Sequence, residues 1–184
     1  MKKYILSICC IVLFIQVLPA QKYYSKTGTI HFLSDAPMEK IEAINSNAYV
    51  VFDQASGQME WSVLIQGFKF DKALMQDHFN ENYLESHKFP KGIFKGKIID
   101  LSGVNTAKDG IYNTEVSGNL TLHGVTKLFK APGRVTVKNG MVSVNSAVDL
   151  TIGECGNSVP KVVRENIAKT VQVTVNADLQ RLEK

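Results

Sequence analysis

The chain has 184 residues, of which 45% are hydrophobic and 21% are charged, and its formal net charge is +4 at pH 7. This composition is typical of a globular protein and excludes an intrinsically disordered chain. The length fits one domain, or one domain preceded by a leader, and the weak net charge gives no indication of nucleic-acid binding.

The first twenty residues have the features of a secretory signal peptide. Lys2 and Lys3 form a basic start, Ile5 to Leu18 is almost wholly apolar, and Ala20 supplies a small residue for cleavage. The apolar run has about 14 residues, fewer than the ~20 that cross a bilayer as a helix. We therefore predict cleavage after Ala20 and a periplasmic or secreted protein, with an uncleaved anchor as the alternative.

Cleavage leaves Cys155 as the single cysteine of the mature chain, which excludes an intramolecular disulfide. A lipoprotein acylated at Cys9 or Cys10 is a further alternative, although both residues lie inside the apolar run and not after it. The mature chain has 19 basic and 17 acidic residues, a net charge of +2, so we predict no nucleic-acid partner.

Alternation of apolar and polar residues predicts β-strands in the first part of the mature chain. The predicted strands are Thr29–Leu33, Ala48–Phe52 and Gln58–Gly67, and Gly57 is placed in a turn before the third. In that third strand Leu64 is the exception to the alternation.

The period then changes to that of an amphipathic helix. We predict a helix from Lys72 to Leu84 with Asp71 as its N-cap, because pairs such as Met75 and Phe79 are spaced i, i+4. One interpretation is a lid that packs on the sheet. The other is that the Met and Phe side chains line a ligand entrance.

Strand patterns return in the second half of the chain. Asn139-Gly140 is the strongest hairpin signal, and Pro132-Gly133 is a predicted bend. A loop over Gly153 to Pro160 and a helical turn from Pro160 to Ala168 are predicted before the last strand. The predicted strands are Ile93–Leu101, one that starts near Val116 and is broken by Gly124, Thr126–Val137, Met141–Ile152 and Val171–Gln180.

About eight strands joined mostly by short turns, with one inserted helix, predict an all-β antiparallel barrel or sandwich. We favour the closed eight-stranded barrel, since nearly every strand has one apolar face and closure removes exposed edges. A barrel of this size can just hold a small ligand.

The sequence contains no recognisable catalytic or metal-binding motif. His31, His78, His87 and His123 lack metal-ligand spacing, and no phosphate loop or nucleophile elbow occurs, so we predict no metal, no cofactor and no catalytic residue. The apolar interior fits either a pocket for a hydrophobic ligand or a filled core.

Two stretches resemble the YceI-like family. Val116 to Lys127, VSGNLTLHGVTK, resembles its signature hairpin, and Met75-x-x-His78-Phe79 with the later Phe89-Pro90 and Phe94-x-Gly96 resembles its helix and following strand. The resemblance implies a lipocalin-like eight-stranded barrel with a long interior pore, secreted or periplasmic, that binds polyisoprenoid or other long amphiphilic lipids. The chain departs from the family pattern at Val148 to Cys155, which lacks the family's Arg and Phe.

We therefore predict a binding protein for a long-chain isoprenoid or fatty lipid, not an enzyme, with no membrane span and with a homodimer left open. His78 and His123 are candidates for headgroup contact. The predicted ligand-binding residues are Trp61, Val63, Leu74, Met75, His78, Phe79, Phe94, Leu120, Leu122, His123, Leu150 and Ile152.

Two other functions are compatible with the sequence. One is a hydrolase or isomerase that acts on a lipid in the barrel, which needs His78 or His123 placed inside the cavity against Ser117, Thr121 or an acid. The other is a solid-cored barrel that binds another envelope protein.

Overall fold

The structure is a computed structural model that describes residues 21–155 and 168–182, and most of these residues lie in β-strands. The predicted leader and nearly all of the predicted turn from Pro160 to Ala168 lie outside the described residues. The strands are β1 (Lys22–Asp35), β2 (Lys40–Asp53), β3 (Gln58–Leu64), β4 (Lys69–Phe70), β5 (Lys91–Ile98), β6 (Gly110–Leu122), β7 (Val125–Lys138), β8 (Met141–Thr151) and β9 (Thr170–Arg181).

Eight of these strands close into an antiparallel barrel. The sheet order is β1-β9-β8-β7-β6-β5-β3-β2, and an additional pairing of β1 with β2 completes the ring. The two-residue β4 pairs with β2 through Ala43 and Ile44. The predicted eight-stranded barrel is confirmed, and it has one extra short strand.

The two ends of the barrel differ. We call the end that carries the turns at residues 36–39 and 123–124 the mouth, and the end that carries the turns at residues 54–57 and 139–140 the floor. The largest fully buried hydrophobic side chains of β2, β7 and β8 lie towards the floor: Phe52, Val50, Val135 and Val142. The floor is therefore a packed hydrophobic core.

Several strands differ in length from the prediction. β1 and β2 each have 14 residues, far longer than the predicted five-residue runs. β3 ends at Leu64 and not at Gly67, since a 3₁₀ turn follows over Ile65–Gly67. The buried Asn45 side chain fixes this ending, because its Nδ2 donates to the carbonyl of Leu64 at 2.9 Å.

The predicted helix is present but is divided into two forms. α1 covers Ala73–His78 and continues as a π-helical turn over Phe79–Tyr83. The prediction of Asp71 as N-cap was wrong. Lys72 occupies that position in extended conformation, and no side chain makes a capping hydrogen bond.

The predicted bend at Pro132-Gly133 is a change of pairing and not a break in β7. β7 pairs with β6 without a register shift from Val125 to Val137. It pairs with β8 only from Arg134 to Lys138, on the floor side. Pro132 has no N–H to donate, and its carbonyl instead accepts a hydrogen bond from Ser146 Oγ at 2.6 Å. We call this interruption of the β7–β8 ladder the split.

The segment after the π turn is fastened to the β6–β7 hairpin at the mouth. His123 and Gly124 have φ values of +49° and +73°, which a type I′ turn requires at both central positions. His123 Nε2 lies 3.0 Å from Glu85 Oε2, and its ring packs edge-on against Phe89 with centroids 4.8 Å apart. Lys88 also pairs with Glu85.

A pair of glycines brings β5 and β6 unusually close. Gly96 and Gly118 are register partners on the inward face. A Cβ added at Gly118 would lie 2.3 Å from both Gly96 Cα and the Lys95 carbonyl oxygen. Since both obstacles are backbone atoms, no side-chain rearrangement relieves them.

Gly118→Ala is therefore expected to lower the free energy of unfolding by about 1–3 kcal/mol or more, as overpacking does. Gly103→Ala is the matched control, because nothing lies within 4 Å of a Cβ there. Urea denaturation measures both, and equal midpoints for the two variants would contradict this account of the close approach.

The pKa of the Glu85 carboxyl lies below its ordinary value, chiefly because Lys88 and then His123 hydrogen-bond to it. A lowered folded-state pKa stabilises the fold above the ordinary carboxyl pKa, and this contribution is lost as the pH falls through the folded value. The difference in melting temperature between wild type and Glu85→Gln should therefore be largest near neutral pH and shrink in acid. A difference that stays constant to about pH 3 would contradict the linkage.

Candidate functional site

The barrel encloses a cavity of about 480 Å³ between the floor and the mouth. Its wall is almost entirely apolar, with side chains from all nine strands together with α1 and the π turn. On β6 the lining runs from Thr114 to Leu122, about 26 Å of strand at 3.3 Å per residue. The cavity is therefore elongated along the barrel.

Four phenylalanines close one side of the mouth. Phe79, from the π turn, stacks on Phe32 of β1 with ring centroids 5.5 Å apart. It also contacts Phe70 of β4 at 5.0 Å and Phe68 at 5.6 Å. Aromatic pairs at these distances contribute about 0.5–1.5 kcal/mol each beyond their burial. Both interpretations of the helix thus apply, since the segment covers the sheet and its side chains line the entrance.

Aromatic side chains also line the middle of the barrel. Phe94 of β5 meets Phe129 of β7 edge-on, with centroids 6.3 Å apart. The end of the Phe94 ring lies over Gly96, where a Cβ would come within 2.6 Å of it. Trp61 of β3 is the register partner of Phe94 and is 7% exposed. The glycine pair therefore makes room for a large ring inside the barrel.

Few polar atoms reach the cavity wall. Thr114 Oγ1 is buried and has no hydrogen-bond partner among the described residues. Ser146 Oγ donates to the Pro132 carbonyl. Arg134, at an outward position at the edge of the split, donates its Nε–H to Asn113 Oδ1 at 3.1 Å. Burial raises the pKa of the Tyr83 phenol, so this lining residue stays neutral. The interior therefore offers a guest very little hydrogen bonding.

The structure brings ten of the twelve predicted ligand-binding residues to one wall. They are Trp61, Val63, Met75, His78, Phe79, Phe94, Leu120, Leu122, Leu150 and Ile152.

The other two residues lie elsewhere. Leu74 is 62% exposed on α1, because the short helix presents Met75 and His78 to the cavity and leaves Leu74 in solvent. His123 lies in the turn between β6 and β7 and bonds to Glu85, so its role in this structure is to fasten the segment that follows the π turn.

Sequence reasoning missed much of the lining on other strands. Phe68 and Phe70 were not selected, although their spacing around Lys69 is the two-residue alternation of a strand. Phe129 and the inward valines of β9 were also missed, and the latter belong to the cleanest alternating run in the chain. The β9 residues in the lining are Val171, Val173 and Val175.

Among the described residues, the two hydroxyls named for the enzyme alternative do not reach the cavity. Ser117 and Thr121 lie on the outward face of β6, away from His78. His31 and His123 face the carboxylates of Glu42 and Glu85. Within residues 21–155 and 168–182, no group of three or more His, Cys, Asp or Glu side chains is placed to hold a metal. The same ranges contain no helix that is both long and apolar enough to span a bilayer.

Comparison with solved structures shows the same fold in distant relatives. A polyisoprenoid-binding domain from Saccharophagus degradans, implicated in plant cell wall breakdown, superposes with a TM-score of 0.74 at 12% identity, over 89% of this chain and 99% of that one. BcnA from Burkholderia cenocepacia gives 0.68 at 16% identity, over 83% and 96%. The YceI protein of Campylobacter jejuni gives 0.52 at 14% identity, over the whole of both chains.

No curated protein matches at the level of sequence. The model of the YceI-like domain family, however, matches residues 25–179, which span all but the outermost residues of the first and last strands. The chain belongs to the YceI-like domain family.

Proposed function

We propose that the protein binds a long hydrophobic or amphiphilic lipid of the polyisoprenoid class inside the barrel, without chemical turnover. The observation that carries the proposal is the elongated apolar cavity of about 480 Å³. Its volume falls within the range of ~300–1,000 Å³ that is usual for ligand pockets. The polyisoprenoid-binding domain from Saccharophagus degradans, which has the same fold, supports the choice of lipid class.

The energetics favour a long chain over a small polar molecule. Each buried CH₂ contributes about 0.8 kcal/mol, so a chain of about twenty carbons supplies on the order of 16 kcal/mol gross. Association costs roughly 4–15 kcal/mol, which a short ligand does not offset. With so few polar groups on the wall, the headgroup contributes orientation more than affinity.

The proposed location is the periplasm or the exterior of the cell. The basic start at Lys2 and Lys3 and the apolar run to Leu18 support it, because they have the pattern of a cleavable signal peptide. Neither alternative function gains support from the cavity. A solid core is inconsistent with its volume, and an enzyme lacks a base beside a nucleophile in the described wall.

The proposal predicts that protein purified without detergent carries lipid, or takes up an added polyprenol, in native mass spectrometry. Val173→Trp places a large ring in the cavity and should lower occupancy at least about tenfold, because overpacking removes the space for the guest. Gln172→Trp is the matched control, since Gln172 is the residue next to Val173 and is exposed on the outer face of the barrel.

Two results would contradict the proposal. One is wild-type protein that neither carries nor takes up any lipid. The other is an equal loss of occupancy in the Val173 and Gln172 variants, because that would place the bound lipid outside the barrel.

A further inference from the structure

Basic residues are concentrated on one outer side of the barrel. Outward positions on β5, β6 and β7 carry six exposed basic residues and a single acidic one, Glu115. The other residues from position 21 onward comprise 13 basic and 16 acidic residues, so the excess of positive charge is local. We call this side the basic face, and its basic residues are Lys91, Lys95, Lys97, Lys130, Arg134 and Lys138.

The strand register places these charges side by side. Lys97 and Lys130 are both register partners of Ser117, so they flank it in one row across the three strands. At ~4.8 Å between strands their Cα atoms are about 10 Å apart. Lys95 and Leu128 flank Asn119 in the same way in the next row.

Most of this charge is not neutralised within the protein. Lys95 pairs with Glu60 of β3 at 3.3 Å. Within the described ranges, the ion pairs do not include Lys91, Lys97, Lys130 or Arg134. The face therefore presents a positive potential that attracts an anionic surface.

The apolar residues of the basic face are aliphatic. Leu128, which is 72% exposed, lies among the lysines, and Ile111, 66% exposed, lies nearer the floor. The aromatic residues of these strands, Phe94, Tyr112 and Phe129, are at inward positions. Basic residues around exposed aliphatic side chains are typical of a membrane-surface contact, whereas single-stranded nucleic acids are bound on exposed aromatic rings.

The basic face borders the split. The mouth half of β7 carries Leu128 and Lys130 outward, and it is the half that does not pair with β8. Phe129 on β7 and Val148 on β8 line the cavity on either side of this interruption. A bilayer against the basic face would thus lie beside the part of the wall where the backbone ladder is open.

We propose that the basic face docks the barrel on the surface of an anionic phospholipid bilayer, beside which lipid is exchanged with the cavity. The docking stands on the charge distribution, and only the exchange rests on the proposed function. Each Lys or Arg close to the surface of an anionic membrane raises the affinity for that membrane by about fivefold.

Co-sedimentation with vesicles tests the docking. The wild-type protein should bind vesicles of phosphatidylglycerol and phosphatidylcholine and should dissociate from them at ~1 M salt. It should not bind vesicles of phosphatidylcholine alone. The double variant Lys97→Glu/Lys130→Glu should lose about tenfold or more of this binding, and Lys97→Gln/Lys130→Gln should lose less. The double variant Lys26→Glu/Lys69→Glu is the matched control, since both residues are exposed and lie outside the basic face. It changes the net charge by the same amount as Lys97→Glu/Lys130→Glu.

Three outcomes would overturn the docking. They are equal binding to neutral vesicles, an equal loss in the control variant, and binding of duplex DNA as strong as that of anionic vesicles, which would indicate general polyanion attraction. Uptake of polyprenol from detergent micelles separates this proposal from the proposed function. A protein that takes up the lipid but does not bind vesicles contradicts only the docking.

Discussion

The closure of the ring of strands, through the pairing of β1 with β2, is the constraint on which the rest of the structure depends. Because β1 pairs with β2, the wall cannot collapse inward when the inward side chains are small. Gly92, Ala131 and Gly133 are such residues, and they line the cavity. A guest that binds only the folded chain stabilises it by mass action, so occupancy of the cavity also stabilises the fold.

The floor and the mouth of the barrel are held together by different contacts. At the floor, Phe52 and Val135 fill the barrel and are fully buried, so this end supplies the core that a stable fold needs. At the mouth the π turn sits over the wall through Phe79, and the following segment is held by Glu85 and His123. The β6–β7 hairpin thus contributes to the mouth in two ways. His123 bonds to Glu85 outside the cavity, and Leu120 and Leu122 line the cavity inside.

The two-residue period predicted the fold class and part of the lining, because an inward position on a strand is visible in one sequence. Leu74 was misplaced because helical periodicity does not say which side of a six-residue helix meets the barrel. His123 was misplaced because its positive φ in the turn, and not its place in the alternation, sets its direction. The basic face could not be predicted, since Lys97 and Lys130 become neighbours only through the register of three strands.

The most direct test of the account is a crystal structure of the protein purified without detergent. We expect continuous, elongated electron density along the inner wall between Trp61 and Val173, reaching from above the floor to the phenylalanines at the mouth. An interior filled by the protein's own side chains, or one that holds only separate water molecules, would contradict it.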